Sequence, residues 1–299
     1  MAQQGIMRSY MIIIEKLMAP FPPDFNNLKS ALENEGFSIS KRTLQRYIEA
    51  IRIDFDINIM YNRSTNTYII DEEDKDTAEK FLYFMGMQHT SEVLGNQLNK
   101  RSLKFISSDV NLSFKGIEWI EYILKAMQQG KWITIKYCKF AETTTKEYKL
   151  QPYLLKEYQG RWYLFSRLGD GGDFRTFGLD RMVDVRIQTL KFNRDKSIDP
   201  QTYFSNIIGL VYDNHNMVQE IQIKVVKPQA EYVKTLPIHH SQQILNEDKD
   251  AVIFTYKLIP NFELTQKILT HAQFVEVLKP KHLRDEIKSI AQKMAKNNS

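Results

Sequence analysis

An α+β chain of several small domains is predicted, and three observations predict it. Over the first seventy residues apolar side chains recur at three- and four-residue spacing, with Pro, Ser and Asp marking helix ends. Between residues 131 and 187 the apolar period drops to two and turn residues intervene. From residue 218 strand-like and helix-like stretches alternate. At 299 residues, 42% hydrophobic and 12% aromatic, the chain has apolar side chains enough for two or three cores.

Ile6, Tyr10, Ile13, Ile14 and Leu17 share one helical face, and Pro20, Pro22 and Pro23 end that first helix. A second opens at Asp24, turns Phe25, Leu28 and Leu32 inward and closes near Gly36. A third begins after Ser38 or Ser40, either of which suits an N-cap, and runs to about Ile53 with Leu44, Tyr47, Ile48 and Ile51 as its buried stripe. Arg42, Gln45, Arg46 and Glu49 lie on the opposite face, flanked by Lys41 and Arg52. Ile57, Ile59 and Tyr61 then alternate, Asn62 to Asn66 turn the chain, and Thr67 to Ile70 return it. Three helices and a hairpin over residues 1–72 read as a winged helix-turn-helix. Its third helix would enter the major groove, where Arg suits guanine edges and Gln adenine edges, while Arg63 in the wing reaches a phosphate. The same face also suits a solvated helix on a protein-interaction domain.

Asp71 to Asp76 is an acidic run that introduces a helical linker, residues 73–130. One helix is expected over roughly 77–98, with Phe81, Met85, Val93 and Leu94 apolar. Another spans Lys115 to Gln129, with Ile117, Ile120, Ile123 or Leu124, and Met127 on one side. Such helices carry either a signal between domains or a dimer contact. Residues 131–200 then hold five short strands. The first alternates Ile133, Ile135 and Tyr137 with Trp132, Thr134 and Lys136. Tyr148 to Lys156, Arg161 to Leu168, Phe174 to Leu179, and the Val183, Val185, Ile187 alternation supply the others, so a small barrel is expected.

The third and fourth of these strands interleave aromatic and arginine side chains: Arg161, Trp162, Tyr163, Phe165 and Arg167, then Arg175, Phe177 and Arg181. Aromatic faces stack on bases and guanidinium groups meet phosphates, a combination that suits a strip of nucleic acid. A plain half-buried hairpin has the same composition. On the third strand Arg161, Tyr163, Phe165 and Arg167 share one face while Trp162 and Leu164 take the other, and Leu164 is expected inside. The excess charge sits in this region. Residues 131–200 carry fourteen basic and nine acidic side chains, a surplus equal to the +5 of the whole chain, which suits a polyanion partner.

Pro152-Tyr153, the triplet Trp162-Tyr163-Leu164 and the string Arg175-Thr176-Phe177-x-Leu179-Asp180-Arg181-Met182 occur in one order and spacing that resembles the WYL-domain proteins. The string from Ser38 and Ser40 through Lys41-Arg42-Thr43-Leu44-Gln45-Arg46-Tyr47-Ile48 is similar to the recognition-helix signature of those bacterial transcription regulators, in which an acidic residue commonly stands in place of Tyr47. The resemblance implies a winged helix-turn-helix, an Sm-like β-barrel that binds a nucleotide or short single-stranded nucleic acid, and a C-terminal WCX extension. The candidate DNA contacts on the helix face and wing are Lys41, Arg42, Gln45, Arg46, Arg52 and Arg63. Tyr153, Trp162, Tyr163, Arg167, Arg175 and Arg181 are the candidate ligand contacts, although Asp180 competes for Arg181.

The last stretch, residues 215–299, is expected as strand Val218–Val226, helix Gln229–Leu236, strands Ser241–Leu245 and Ala251–Leu258, helix Phe262–His271 and strand Phe274–Leu278. That is a split βαβ, ferredoxin-like order. A final helix from Lys281 places Leu283, Ile287, Ile290, Ala291 and Met294 on one face and is expected to pack down. Glu276-Val277-Leu278-Lys279-Pro280-x-x-Leu283-Arg284 resembles the end of WCX extensions, which implies dimerisation or completion of the ligand site.

A single cysteine, Cys138, excludes an internal disulfide framework. The apolar run Met11 to Ile14 stops at Glu15, far short of a signal-peptide core or membrane span, so the cytoplasm is the expected compartment. No metalloprotease, Walker or nucleophile-elbow string occurs, and the neighbours His239 and His240 would point to opposite faces of a strand. No enzyme activity, metal or cofactor is therefore expected. The partners expected are double-stranded operator DNA, a nucleotide or oligonucleotide effector and a second copy of the chain. The alternative is an RNA- or single-strand-binding accessory protein without operator recognition.

Overall fold

The computed structural model describes residues 2–97, 115–140, 142–211 and 217–299, without the side chains of residues 2–4, 93, 94 and 97. Val93, Leu94 and the expected linker residues 98–114 therefore lie outside it. The chain is a mixed helix-and-sheet protein that compacts into two units, Met1–Asp109 and Val110–Ser299.

In the first unit α1 (Ala2–Leu17), α2 (Phe25–Asn34) and α3 (Lys41–Phe55) precede the hairpin β1 (Ile59–Asn62) and β2 (Thr67–Ile70), followed by α4 (Lys75–Gln97). Side chains define the helix starts. The Asp24 carboxylate accepts the Asn27 N–H at 2.7 Å while the Asn27 amide oxygen accepts that of Asp24. Of the two serines suited to cap α3, Ser40 does so, its hydroxyl accepting the Thr43 N–H at 3.1 Å. Ile13, Ile14, Leu28, Leu32, Leu44, Ile51 and Ile57 form a fully buried core. Ala78 and Phe81 of α4 join it, with the Phe81 ring 4.7 Å from that of Phe55, so this part of the expected linker is core material.

The second unit begins with α5 (Ile120–Gln128), whose Ile123 and Ala126 are fully buried against a five-stranded antiparallel sheet. Its strands are β3 (Lys131–Tyr137), β4 (Lys146–Tyr158), β5 (Arg161–Leu168), β6 (Phe174–Gly178) and β7 (Met182–Lys191), in the order β6-β5-β4-β3-β7. Gly116, at φ +90°, lets the start of α5 touch the Leu179–Asp180 backbone, since a Cβ there would fall 2.3 Å from the Leu179 carbonyl. Leu150, Leu164, Phe177 and Leu179 fill one side of the sheet. In β4 the register against β5 slips between Pro152 and Leu154, a bulge at Tyr153 that bends the strand. On the other side Tyr153 and Phe165 cluster with Phe204, Ile207 and Ile259, under a short helix α6 (Pro200–Ser205).

A four-stranded antiparallel sheet follows in the order β11-β8-β10-β9, from β8 (Gln219–Val226), β9 (Gln243–Glu247), β10 (Ala251–Leu258) and β11 (Val275–Lys279). Helices α7 (Gln229–Thr235) and α8 (Phe262–Leu269) interrupt the strands. The last helix, α9 (Lys281–Asn297), departs from expectation. Leu283 is fully buried and Ile287 packs on the core, but Ala291 and Met294 are exposed, because the helix outruns the strand β11 and helix α8 on which its first turns rest. Among the described residues no helix is long and apolar enough to cross a membrane.

Candidate functional site

In the first unit Lys41, Arg42, Gln45, Arg46 and Arg52 are all exposed on α3, and Arg63 is exposed in the turn between β1 and β2. Leu44 and Ile51, fully buried on the opposite side, set that orientation. Arg52 pairs with Glu49, whereas the Arg46 guanidinium lies 6.0 Å from the Tyr47 ring centroid. Tyr47, where the resembling signature has an acid, packs its ring edge-on against Tyr10 at 5.4 Å and so serves the core.

The aromatic and arginine strip of the second unit is not a continuous track. Phe165 is 2% exposed, stacked on Phe174 at 4.9 Å and covered by Tyr203 and Phe204 of α6. This cover separates two groups. One surrounds Asp180, which is almost fully buried and faces Arg161 at 3.5 Å and Arg181 at 3.6 Å. The Arg181 guanidinium lies 4.7 Å from the ring of exposed Phe140 and 5.3 Å from that of Tyr137. Tyr163 neighbours this group, and burial pushes its phenol pKa up, with Arg161 and Arg181 opposing. Trp162 is half-buried and packs with the Leu164 side of the sheet.

The other group lines a cavity of about 1240 Å³. Its first wall is the β5–β6 hairpin with Arg167, Phe174 and Arg175. Its second is the connector and α6, with Ser197, Thr202 and Tyr203. Its third is Leu210, Val211 and Ile259. Arg167 donates from Nε to the Gly172 carbonyl at 3.1 Å and leans over Phe174 at 5.7 Å, which fixes its guanidinium at the rim. Arg175 is exposed, and its side chain makes no hydrogen bond or ion pair among the described residues. The carboxylate of Asp199 is engaged in starting α6, accepting the Gln201 N–H and the Thr202 hydroxyl. With Asp173 also in the lining, the cavity presents two arginines, two carboxylates, hydroxyls and an amide, a set that can hydrogen-bond a polar ligand.

Tyr153, expected to touch ligand, lies buried beneath the connector. It is 2% exposed, with its ring edge-on to Phe174 at 5.0 Å and under the Arg194 guanidinium at 4.9 Å. Its hydroxyl accepts the Asp195 N–H at 3.2 Å and its carbonyl accepts Arg194 at 2.8 Å. The residue anchors the connector that forms the second wall. That wall was missed in the sequence, although Asp199-Pro200, an N-cap followed by proline at the first helical position, announces α6. His239 and His240 also differ from expectation. Their segment precedes β9, and their rings lie together, 4.0 Å apart. Burial, then His240, lowers the His239 pKa to about 4. Among the described residues no group of three metal-binding side chains forms.

A WYL domain matches residues 118–187 and a WCX domain residues 218–295. The chain carries a WYL domain followed by a WCX domain. Both walls of the cavity outside the hairpin thus lie beyond the matched WYL segment, in the connector and at the WCX domain. The chain is similar to the solved structure of proteasome accessory factor B/C (PafBC) of Arthrobacter aurescens, at 14% identity and a TM-score of 0.32 over 95% of this chain. It spans 46% of that protein's length. It is also similar to a CRISPR Cas-related protein, at 14% identity and a TM-score of 0.37, covering 98% of this chain and 84% of the other. No curated protein matches the sequence.

Proposed function

We propose that this protein is a bacterial, cytoplasmic transcription regulator. It binds operator duplexes as a homodimer through a winged helix-turn-helix and senses a nucleotide or short single strand in its cavity. The α3 face carries this reading: Lys41, Arg42, Gln45 and Arg46 project together from one capped helix beside a hairpin that bears Arg63. Arg and Gln on a helix of this size are matched to base edges in the major groove. The strand order β7-β3-β4-β5-β6 supports an Sm-like barrel, and β11-β8-β10-β9 a ferredoxin-like WCX domain. The regulator works without catalysis or cofactor. Ligand acts by binding the DNA-competent and incompetent arrangements unequally.

Selection of bound fragments from a sheared genomic library at near-physiological salt tests the reading. Discrete sites, lost in Arg46→Ala, are expected. Diffuse recovery together with retained binding of single strands favours the alternative, a single-strand-binding accessory protein, for which the +5 surplus of residues 131–200 speaks.

A further inference from the structure

The third wall of the cavity hangs on one buried side chain of the WCX domain. Leu210 and Val211 both donate their backbone N–H to Oε1 of Glu263, at 3.0 Å each. Glu263 lies in the first turn of α8, only 7% exposed, and its Oε2 is buried without a hydrogen-bond partner among the described residues. Gly209, at φ +81°, permits the approach, since a Cβ there would fall 2.5 Å from Glu263 Cγ. Neighbouring contacts close the same clamp. Asn261 donates from Nδ2 to the carbonyls of Ile208 at 2.8 Å and Val211 at 3.1 Å, while its Oδ1 accepts the Leu264 N–H. The Ile259 N–H donates to the Asn206 carbonyl at 2.7 Å, and both of those residues line the cavity.

A carboxylate removed from water holds its remaining donors strongly, because releasing them leaves a buried charge unsatisfied. The wall formed by Leu210 and Val211 therefore does not shift without disturbing the first turn of α8. We propose that Glu263 is a positioning residue through which occupancy of the cavity is transmitted to the WCX domain. The proposal rests on the effector reading above and specifies the route by which occupancy is sensed. Linkage makes the route reciprocal: whatever reorients α8 alters affinity in the cavity by the same factor.

The test uses the full chain, AMP and a thymidine tetranucleotide as probes in calorimetry, and amide hydrogen exchange over residues 206–211 and 262–265. In the wild type, binding of either probe slows exchange in both segments. Glu263→Ala speeds resting exchange at Leu210 and Val211, weakens the probe about tenfold and abolishes the response at 262–265. Glu263→Gln keeps an acceptor oxygen for the two amides and retains most of the affinity and the response. Arg175→Ala weakens the probe while leaving resting exchange at 206–211 unchanged. Probe binding that slows 206–211 but leaves 262–265 untouched overturns the coupling and spares the effector reading. A wild-type protein that binds neither probe overturns both.

Discussion

Replacing Tyr153 with Phe separates two roles for this side chain, a contact to ligand and a buried anchor for the connector. Among the described residues the hydroxyl makes one hydrogen bond, accepting the Asp195 N–H at 3.2 Å. Such a bond contributes about 0.5–1.5 kcal/mol net. The ring remains beside Phe174 and Phe192, at 5.0 and 5.9 Å, so the core is kept. In a unit of this size about 1 kcal/mol lowers the Tm by about 2–4 °C. Removing the ring as well, in Tyr153→Ala, costs about 3–5 kcal/mol at a site that is 2% exposed. Thermal unfolding, amide exchange at Asp195 and titration with a thymidine tetranucleotide read the outcome. Tyr153→Phe should lose a few degrees, exchange Asp195 faster and bind the probe within about twofold of the wild type. A variant with unchanged Tm and unchanged Asp195 exchange that no longer binds the probe refutes the anchor role.

Arg46→Ala, on an exposed face and without an ion pair among the described residues, should leave the Tm nearly unchanged while weakening duplex binding by about 1–3 kcal/mol, measured by fluorescence anisotropy on a selected fragment. Leu164→Ala empties a fully buried position in the core that α5 shares with the five-stranded sheet and should destabilise the second unit by about 2–5 kcal/mol in urea unfolding. His239 gives a pH dependence of definite sign. Its folded pKa of about 4 lies below the 6.5 of an unfolded chain, so between these values the unfolded state binds a proton that the folded state refuses. Stability is fully present above pH 6.5 and falls as pH drops toward 4, by roughly 1–3 kcal/mol. The dependence should flatten in His239→Asn, and an equal slope in that variant assigns the titration elsewhere.

Much of the architecture was legible because local signals are strong where a helix or strand has one wet face. The third helix is an example. Leu44, Tyr47, Ile48 and Ile51 mark its inner stripe, and the face they leave exposed is the one that Arg42, Gln45 and Arg46 occupy. Leu164 in the five-stranded sheet followed from alternation in the same way. Periodicity failed at the connector, because α6 is six residues long and shows less than two turns of pattern. It failed again at α9, where an apolar stripe continues past the end of the surface that it covers.

Apart from α6 and the outer half of α9, the sequence by itself determined the order of helices and strands, the face each presents and the concentration of positive charge in residues 131–200, since these depend on neighbours in the chain. Only the tertiary structure decided which members of the aromatic and arginine strip are available to a ligand. Tyr153 and Phe165 face outward from the sheet as alternation requires, yet α6 folds back over them, and a bulge at Tyr153 turns the strand toward that cover. Arg167 and Arg175 remain at the cavity, the first held by the Gly172 carbonyl and the second exposed. Burial of an outward-facing residue depends on a segment thirty to fifty positions away, and no local period encodes that contact.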